Sequence, residues 1–201
     1  MRILLLGSSG QVGWEAQRSL APLGEVIGYD YPEVDFSRPE RLYRQVLELR
    51  PDVIYNAAAY TAVDKAEREP ERARVVNAAS TGVLAEAAAK LGAVLVHFST
   101  DYVFDGKKGF PYTESDPTDP LNVYGLTKLE GEQAIQQVGG AYLIFRTAWV
   151  YSKRRDSFLS KVLQWSRERS SLRVVADQVS NPTWARMLAE ITGQLLARGG
   201  E

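Results

Sequence analysis

Five short apolar runs recur along the chain, at residues 2–6, 26–29, 53–55, 93–98 and 142–145. Runs that are apolar on both faces, bounded by turn residues and separated by helices, read as strands of a parallel sheet covered on both sides. A helix follows the first run and reaches about Leu20. Ser37-Arg-Pro-Glu40 reads as a capping box, with Pro39 inside the first turn, and opens a second helix to about Leu49. Residues 71–91 make a longer helix with Val76, Ala79, Val83, Ala87 and Leu91 on its apolar side and Gly92 as its C′ residue. Another helix, with Tyr124 near its start, falls between the fourth and fifth runs. The pattern is a doubly wound α/β domain over residues 1–150. It loosens over residues 151–201, where helices at 157–169 and 183–197 flank a short strand at 172–175.

Composition acts on this picture by exclusion. Zero cysteines remove disulfides, thiolate metal sites and cysteine nucleophiles. A single histidine argues against a His-rich zinc site. With 24 basic against 25 acidic residues, no global field draws the chain to nucleic acid or a membrane. No apolar run approaches the ~18 residues of a membrane helix. Met1 leads straight into the first strand, which Gly7 ends too soon for a signal peptide. The expectation is a cytoplasmic protein. The charged run at 64–74 reads as a solvated helix face with its turn.

Two stretches carry chemistry. Gly7, Gly10 and Gly13 lie between the first strand and the first helix, where glycines allow a tight turn and let backbone N–H groups approach a pyrophosphate. Ser9 replaces the middle glycine of the usual G-x-G-x-x-G fingerprint. Asp30 ends the second strand, where a carboxylate accepts from an adenosine ribose, favouring NAD over a 2′-phosphate, and Asp35 lies within reach of the adenine edge. The second stretch is Tyr124-Gly-Leu-Thr-Lys128. Of the ten tyrosines, Tyr124 alone has a lysine four residues on, one turn along a helix. A cation within ~4–6 Å favours the phenolate by roughly 1–3 pKa units, so the phenol would be an acid at neutral pH. Ser99 and Thr100 follow the fourth strand, at the sheet edge where open α/β folds bind ligands. His97, among apolar neighbours, reads as a satisfied core histidine. Asp101 and Asp105 lie near the same edge, as ligand candidates or as solvated or capping turn residues.

Gly7-x-x-Gly-x-x-Gly13, Asn56-Ala-Ala-Ala-Tyr-Thr-Ala-Val-Asp-Lys-Ala-Glu67, Ser99-Thr-Asp-Tyr-Val-Phe-Asp-Gly106, Pro120-Leu-Asn-Val-Tyr-Gly125 and Arg146-Thr-Ala-Trp-Val-Tyr151 together resemble the extended short-chain dehydrogenase/reductases, and within them the dTDP-4-dehydrorhamnose reductases. The likeness runs from Met1 to about Ala197. It implies a Rossmann-like NAD(P)-binding domain over 1–150 and a partial substrate-binding region over 151–201, because family members run on past the last helix. It implies Tyr124 as the general acid, Lys128 as the lysine that tunes it and holds the nicotinamide ribose, and Thr100 as the hydroxyl that orients the substrate carbonyl. Cofactor contacts are expected from Gly7, Gly10, Gln11, Val12, Gly13, Asp30, Asp35 and Phe36, from Ala57, Ala58, Ala59 and Tyr60, and from Asn77 and Ser99. Substrate contacts are expected from Thr100, Asp101, Val103, Phe104 and Trp149, the last being equally suited to core packing. Asp177-Gln178 and Asn181-Pro-Thr183 resemble the loop that closes over the nucleotide sugar, with Ser180 where relatives usually have glycine.

The implied reaction is NAD(P)H-dependent reduction of the 4-keto group of dTDP-4-dehydro-L-rhamnose to dTDP-L-rhamnose. Another nucleotide-sugar reductase or epimerase fits the same scaffold. So does a non-catalytic protein like the regulatory subunit of methionine adenosyltransferase, which shares the superfamily. NADPH against NADH stays open, since Asp30 points to NADH while enzymes of this kind commonly use NADPH. A homodimer is compatible with the sequence. No spacing identifies a metal site, carboxylates at a subunit interface being one place for Mg²⁺.

Overall fold

The computed structural model describes residues 1–154 and 157–199. Strands β1 (Arg2–Leu6), β2 (Glu25–Tyr29), β3 (Val53–Asn56), β4 (Val94–Thr100) and β5 (Tyr142–Thr147) form one parallel sheet in the order β2-β1-β3-β4-β5. The helices are α1 (Gln11–Leu20), α2 (Pro39–Leu49), α3 (Val63–Ala66), α4 (Pro70–Arg74), α5 (Ser80–Leu91), α6 (Val123–Val138), α7 (Phe158–Glu168) and α8 (Ala185–Ala197). Strands β6 (Val150–Tyr151) and β7 (Thr183–Trp184) pair as a second, small sheet. β1 lies between β2 and β3, so the chain winds outward in opposite directions from it. Such a switch point opens a crevice at the carboxyl ends of β1 and β3. The doubly wound expectation is borne out.

Strand periodicity sorts the apolar side chains to the two faces. Leu4, Leu6, Ile54 and Leu95 pack against Leu42 and Val46 of α2, Leu84 and Ala88 of α5, and Ile135 of α6. Ile3, Leu5, Val53, Tyr55 and Val96 pack against Ala16 and Leu20 of α1 and Ala189 of α8. A fully buried Leu or Ile contributes about 1.5–3 kcal/mol, which makes these two layers the main support of the sheet. α8 is part of that support: its Thr192 Oγ1 lies 2.8 Å from Tyr55 OH, and both residues are buried. The packing therefore does not follow a division at residue 150. The chain leaves the sheet after β5 and returns to cover it.

Four local expectations are corrected. Ser37 does not cap α2: its N–H and Oγ both donate to Asp35 Oδ1, at 2.9 and 2.6 Å, and Arg38 is the N-cap residue. A carboxylate two residues upstream is the better acceptor. Residues 172–175 pair with no strand, and Val174 and Val175 are exposed, having no buried face to pack on. Thr183 and Trp184 belong to β7 rather than to the last helix. The long helix runs from α4 to α5 through a π turn, Val75–Ala79, whose extra residue leaves Ala79 exposed and buries Asn77 and Ala78.

Candidate active site at the carboxyl edge of the sheet

β1 ends at Leu6 and the chain turns at Gly7 with φ +78°. A Cβ there would lie 2.8 Å from Ala57 C and Ala58 N, and one on Gly13 would lie 2.1 Å from Gly7 O. Loop, helix and the segment after β3 thus meet backbone to backbone. No side chain caps α1, so its first N–H groups are left to an anion in the crevice. Asp30 Oδ2 accepts from Ser8 Oγ at 2.9 Å and from Ser9 N at 2.5 Å, fixing the loop to the end of β2. A cleft of about 190 Å³ opens beside it, lined by Gly7, Asp30, Phe36, Ala58 and Ala59 among the expected residues. Tyr31, Val34 and Val76 line it too and carried no sequence signal beyond their apolar character.

Other expected cofactor residues are placed differently. Asp35 is bonded to Ser37 and paired with Arg38, and the Ser37 hydrogen bonds hold its carboxyl below the usual range. It is not among the residues lining the cleft. Gln11 Nε2 donates to Val150 O and its Oε1 accepts from Ser152 Oγ, each at 3.1 Å. That side chain ties α1 to the region of β6. Val12 packs into the α1–α8 core. Tyr60 OH donates to Glu69, while its backbone is held at both ends by the Asn77 amide. Asn77 Nδ2 also reaches Thr127 Oγ1 at 3.1 Å, so the π turn joins the segment after β3 to α6.

Thr100 ends β4 as a strand residue, buried, and its Oγ1 accepts from Tyr102 N to cap a single 3₁₀ turn. Tyr124 stands in the first turn of α6, whose N-cap Asn122 accepts from Gly125 N at 2.7 Å. The approach is close: a Cβ on Gly125 would lie 2.2 Å from Tyr102 O. The Tyr102 ring packs edge-on to the Tyr124 ring at 5.9 Å. The Thr100 hydroxyl lies near enough to the Tyr124 phenol to lower its pKa, yet burial outweighs it and pushes the group up to about 12. The expected downward shift from Lys128 is overturned.

Lys128 explains why. Only 1% exposed, it directs Nζ to Phe98 O at 2.6 Å and to His97 Nε2 at 3.1 Å. Burial pushes its pKa down to about 7, against an upward pull from Glu132. A lysine whose pKa burial lowers this far is not the fixed cation the spacing suggested. His97 is a buried, hydrogen-bonded histidine, with Asn56 Nδ2 3.1 Å from its Nδ1. Glu132 is held by Arg146 through two nitrogens, the shorter contact being 2.7 Å. Ser99 Oγ and Arg146 Nη1, side chains of register partners on β4 and β5, are buried with no hydrogen-bond partner.

At the outer edge, Asp101 accepts from Thr100 Oγ1 at 3.1 Å and from Ser180 Oγ at 3.0 Å, joining the end of β4 to the 177–183 loop. Val103 is fully buried, so its side chain lies inside the fold. Phe104 stacks on Tyr112 at 4.2 Å with the Arg146 guanidinium over it, and Asp105 accepts from Tyr112 OH at 2.7 Å. Trp149 has φ +47° and packs edge-on to Phe158 at 4.8 Å, with over a third of its surface exposed. Two further residues were hidden in the charged run. Glu67 caps Val123 N at 2.8 Å, and Arg74 pairs with Glu130 of α6. Charge alone cannot tell a cap from a solvated side chain.

Comparison with known proteins agrees with this geometry. The RmlD substrate binding domain family matches residues 1–201. A dTDP-4-dehydrorhamnose reductase of Burkholderia thailandensis is 52% identical over 197 residues, covering 98% of this chain and 66% of that protein. The crystal structure of such a reductase from Clostridium acetobutylicum superposes with a TM-score of 0.94 at 38% identity, covering 98% of this chain and 71% of that one. The Bacillus anthracis reductase in complex with NADP gives 0.92 at 36% identity, with 98% and 70% covered. The chain thus spans about two thirds of the curated relatives it matches.

Proposed function

The chain belongs to the RmlD substrate binding domain family, and on that premise we propose that it reduces the 4-keto group of dTDP-4-dehydro-L-rhamnose at the expense of NADPH or NADH. The observation that carries the reading is the Tyr124 phenol of the first turn of α6 set near the Thr100 hydroxyl that ends β4, at the carboxyl edge beside the glycine loop of the switch point. The residues present fit a dinucleotide. The uncapped N-terminus of α1 and the side-chain-free approach at Gly7 and Gly13 leave room and donors for a pyrophosphate. Asp30, with the cleft walls Phe36, Ala58 and Ala59, would hold the adenosine. When bound, the reduced nicotinamide would supply the hydride.

The chain's own residues do the rest. A substrate carbonyl oxygen placed between Thr100 Oγ1 and Tyr124 OH receives two hydrogen bonds, which strengthen as the oxygen becomes negative. With its pKa near 12, Tyr124 keeps its proton at physiological pH and gives it to the developing alkoxide. Glu67, Asn122 and the close contact at Gly125 hold the phenol in place. Asp101, Phe104 and Trp149 would meet the sugar and its nucleotide. Among the described residues no helix is long and apolar enough to cross a membrane, in keeping with a cytoplasmic biosynthetic role.

The test mixes the purified chain with dTDP-4-dehydro-L-rhamnose and follows loss of reduced-cofactor absorbance, with NADH and NADPH in parallel. Stoichiometric oxidation supports the reductase. Cofactor binding with no turnover would favour a non-catalytic protein on the same scaffold.

A further inference from the structure

The backbone sets the orientation of the Asn56 side chain. Ala58 N–H donates to Asn56 Oδ1 at 3.2 Å, which turns the amide nitrogen towards His97 Nδ1 at 3.1 Å. An amide NH₂ only donates, so His97 Nδ1 must present a lone pair. Burial holds the His97 pKa well below its ordinary value and the ring neutral. A neutral imidazole with a bare Nδ1 carries its proton on Nε2. That nitrogen faces Lys128 Nζ at 3.1 Å. An ammonium has three donors and no acceptor, so the two groups would meet donor to donor. An amine accepts from Nε2–H and still donates to Phe98 O at 2.6 Å. The amine alone satisfies the whole chain from Ala58 through Asn56, His97 and Lys128 to Phe98.

We propose that His97, its tautomer set by Asn56, is a positioning residue that donates from Nε2 to Lys128 and keeps the lysine as an uncharged amine in the cofactor-free protein. The surroundings agree. Lys128 is 1% exposed, and an unpaired buried ammonium is costly. The charged and titratable groups around it are Glu132, one turn on along α6, which favours the ammonium; Arg146 of β5, which binds Glu132; and His97 of β4, with Tyr124 one turn back on the same helix. β3 and the π turn bring the uncharged Asn56 and Asn77. A lone pair makes Lys128 able to take a proton as well as give one. Lys128 is then a proton exchanger where a fixed charge was expected.

His97 is the only histidine, so the ¹⁵N spectrum of histidine-labelled protein holds one ring. The expected wild-type spectrum at pH 8, without cofactor, has a protonated Nε2 and a bare Nδ1. Lysine labelled at Cε, with Lys128→Met to assign the resonance, gives the ionisation of Lys128, expected near neutrality. Asn56→Asp should draw the ring proton to Nδ1, leave the Nε2 lone pair to an ammonium, and raise the lysine's ionisation by about one pH unit or more. A proton on Nδ1 in the wild-type ring overturns the proposal, as does an imidazolium at pH 8. So does an Asn56→Asp variant whose ring proton moves while Lys128 titrates unchanged. The wild-type tautomer decides by itself if that variant does not fold, and because the measurement is made on free protein, absence of turnover leaves it intact.

Discussion

The carboxylate of Glu67 accepts the backbone N–H of Val123 at 2.8 Å, closing the first turn of the helix that presents Tyr124. Removing it in Glu67→Ala should cost about 1 kcal/mol, as for other N-terminal caps, read as a lower urea midpoint at unchanged m-value. Glu67→Gln, which keeps an acceptor but loses the charge, should cost less. The rate of reduction should fall in Glu67→Ala while cofactor affinity holds, because the helix start moves and the glycine loop does not.

Tyr124→Phe should bind cofactor like the wild type and lose about 10²-fold or more in kcat, the usual worth of a placed general acid. Thr100→Ser should retain most activity and Thr100→Val little, since the valine keeps the volume but has no hydroxyl to offer a substrate carbonyl or to accept from Tyr102 N. Wild-type turnover in Tyr124→Phe would remove the phenol from the mechanism.

Asp30 sets a cofactor ratio. Its carboxylate lines the cleft and also holds Ser8 and Ser9, so Asp30→Asn should weaken both cofactors somewhat. Relief of charge repulsion acts on the 2′-phosphate alone. The kcat/KM for NADPH relative to NADH should therefore rise by about tenfold, equivalent to ~1.4 kcal/mol. An unchanged ratio would show that the ribose lies elsewhere.

Stability should respond to pH through the buried Lys128 and Tyr124 side chains. Folded Lys128 releases its proton near pH 7, against 10.5 for an ordinary lysine. Between those values the unfolded chain binds more protons, so this group favours the fold increasingly as pH rises, and below pH 7 the buried charge costs its full amount. Folded Tyr124 keeps its proton to about 12 where an ordinary tyrosine loses it at 10, so its contribution is whole below pH 10 and lost across that window. Urea midpoints should rise from pH 7 to 9 more steeply in the wild type than in Lys128→Met.

The sheet was legible because each strand is a short apolar run with turn residues at its ends, and parallel strands need little else. The glycine loop and the Tyr124–Lys128 spacing were legible because they are local. What escaped depends on contacts distant in sequence. Glu67 looked like any surface carboxylate until α6 came to rest on it, 56 residues later. The pKa of Lys128 could not be read from a four-residue spacing, since burial beneath β4 sets it. Residues 172–175 had the composition of a strand without a neighbour to pair with. Asp35 had the right distance from Asp30 in sequence but spends its carboxylate on Ser37.

The π turn at Val75–Ala79 makes the length of this helix a property of the site. One surplus residue rotates everything before it by about 100° relative to everything after it. Asn77 sits within that offset and faces Tyr60 and Thr127 because of it. Deleting a single residue here would be expected to restore a regular α-helix, improve its hydrogen bonding, and swing the amide away from both partners. A more ideal helix would thus join the two halves of the crevice less well, and the irregularity is where secondary structure yields to the placement of a side chain.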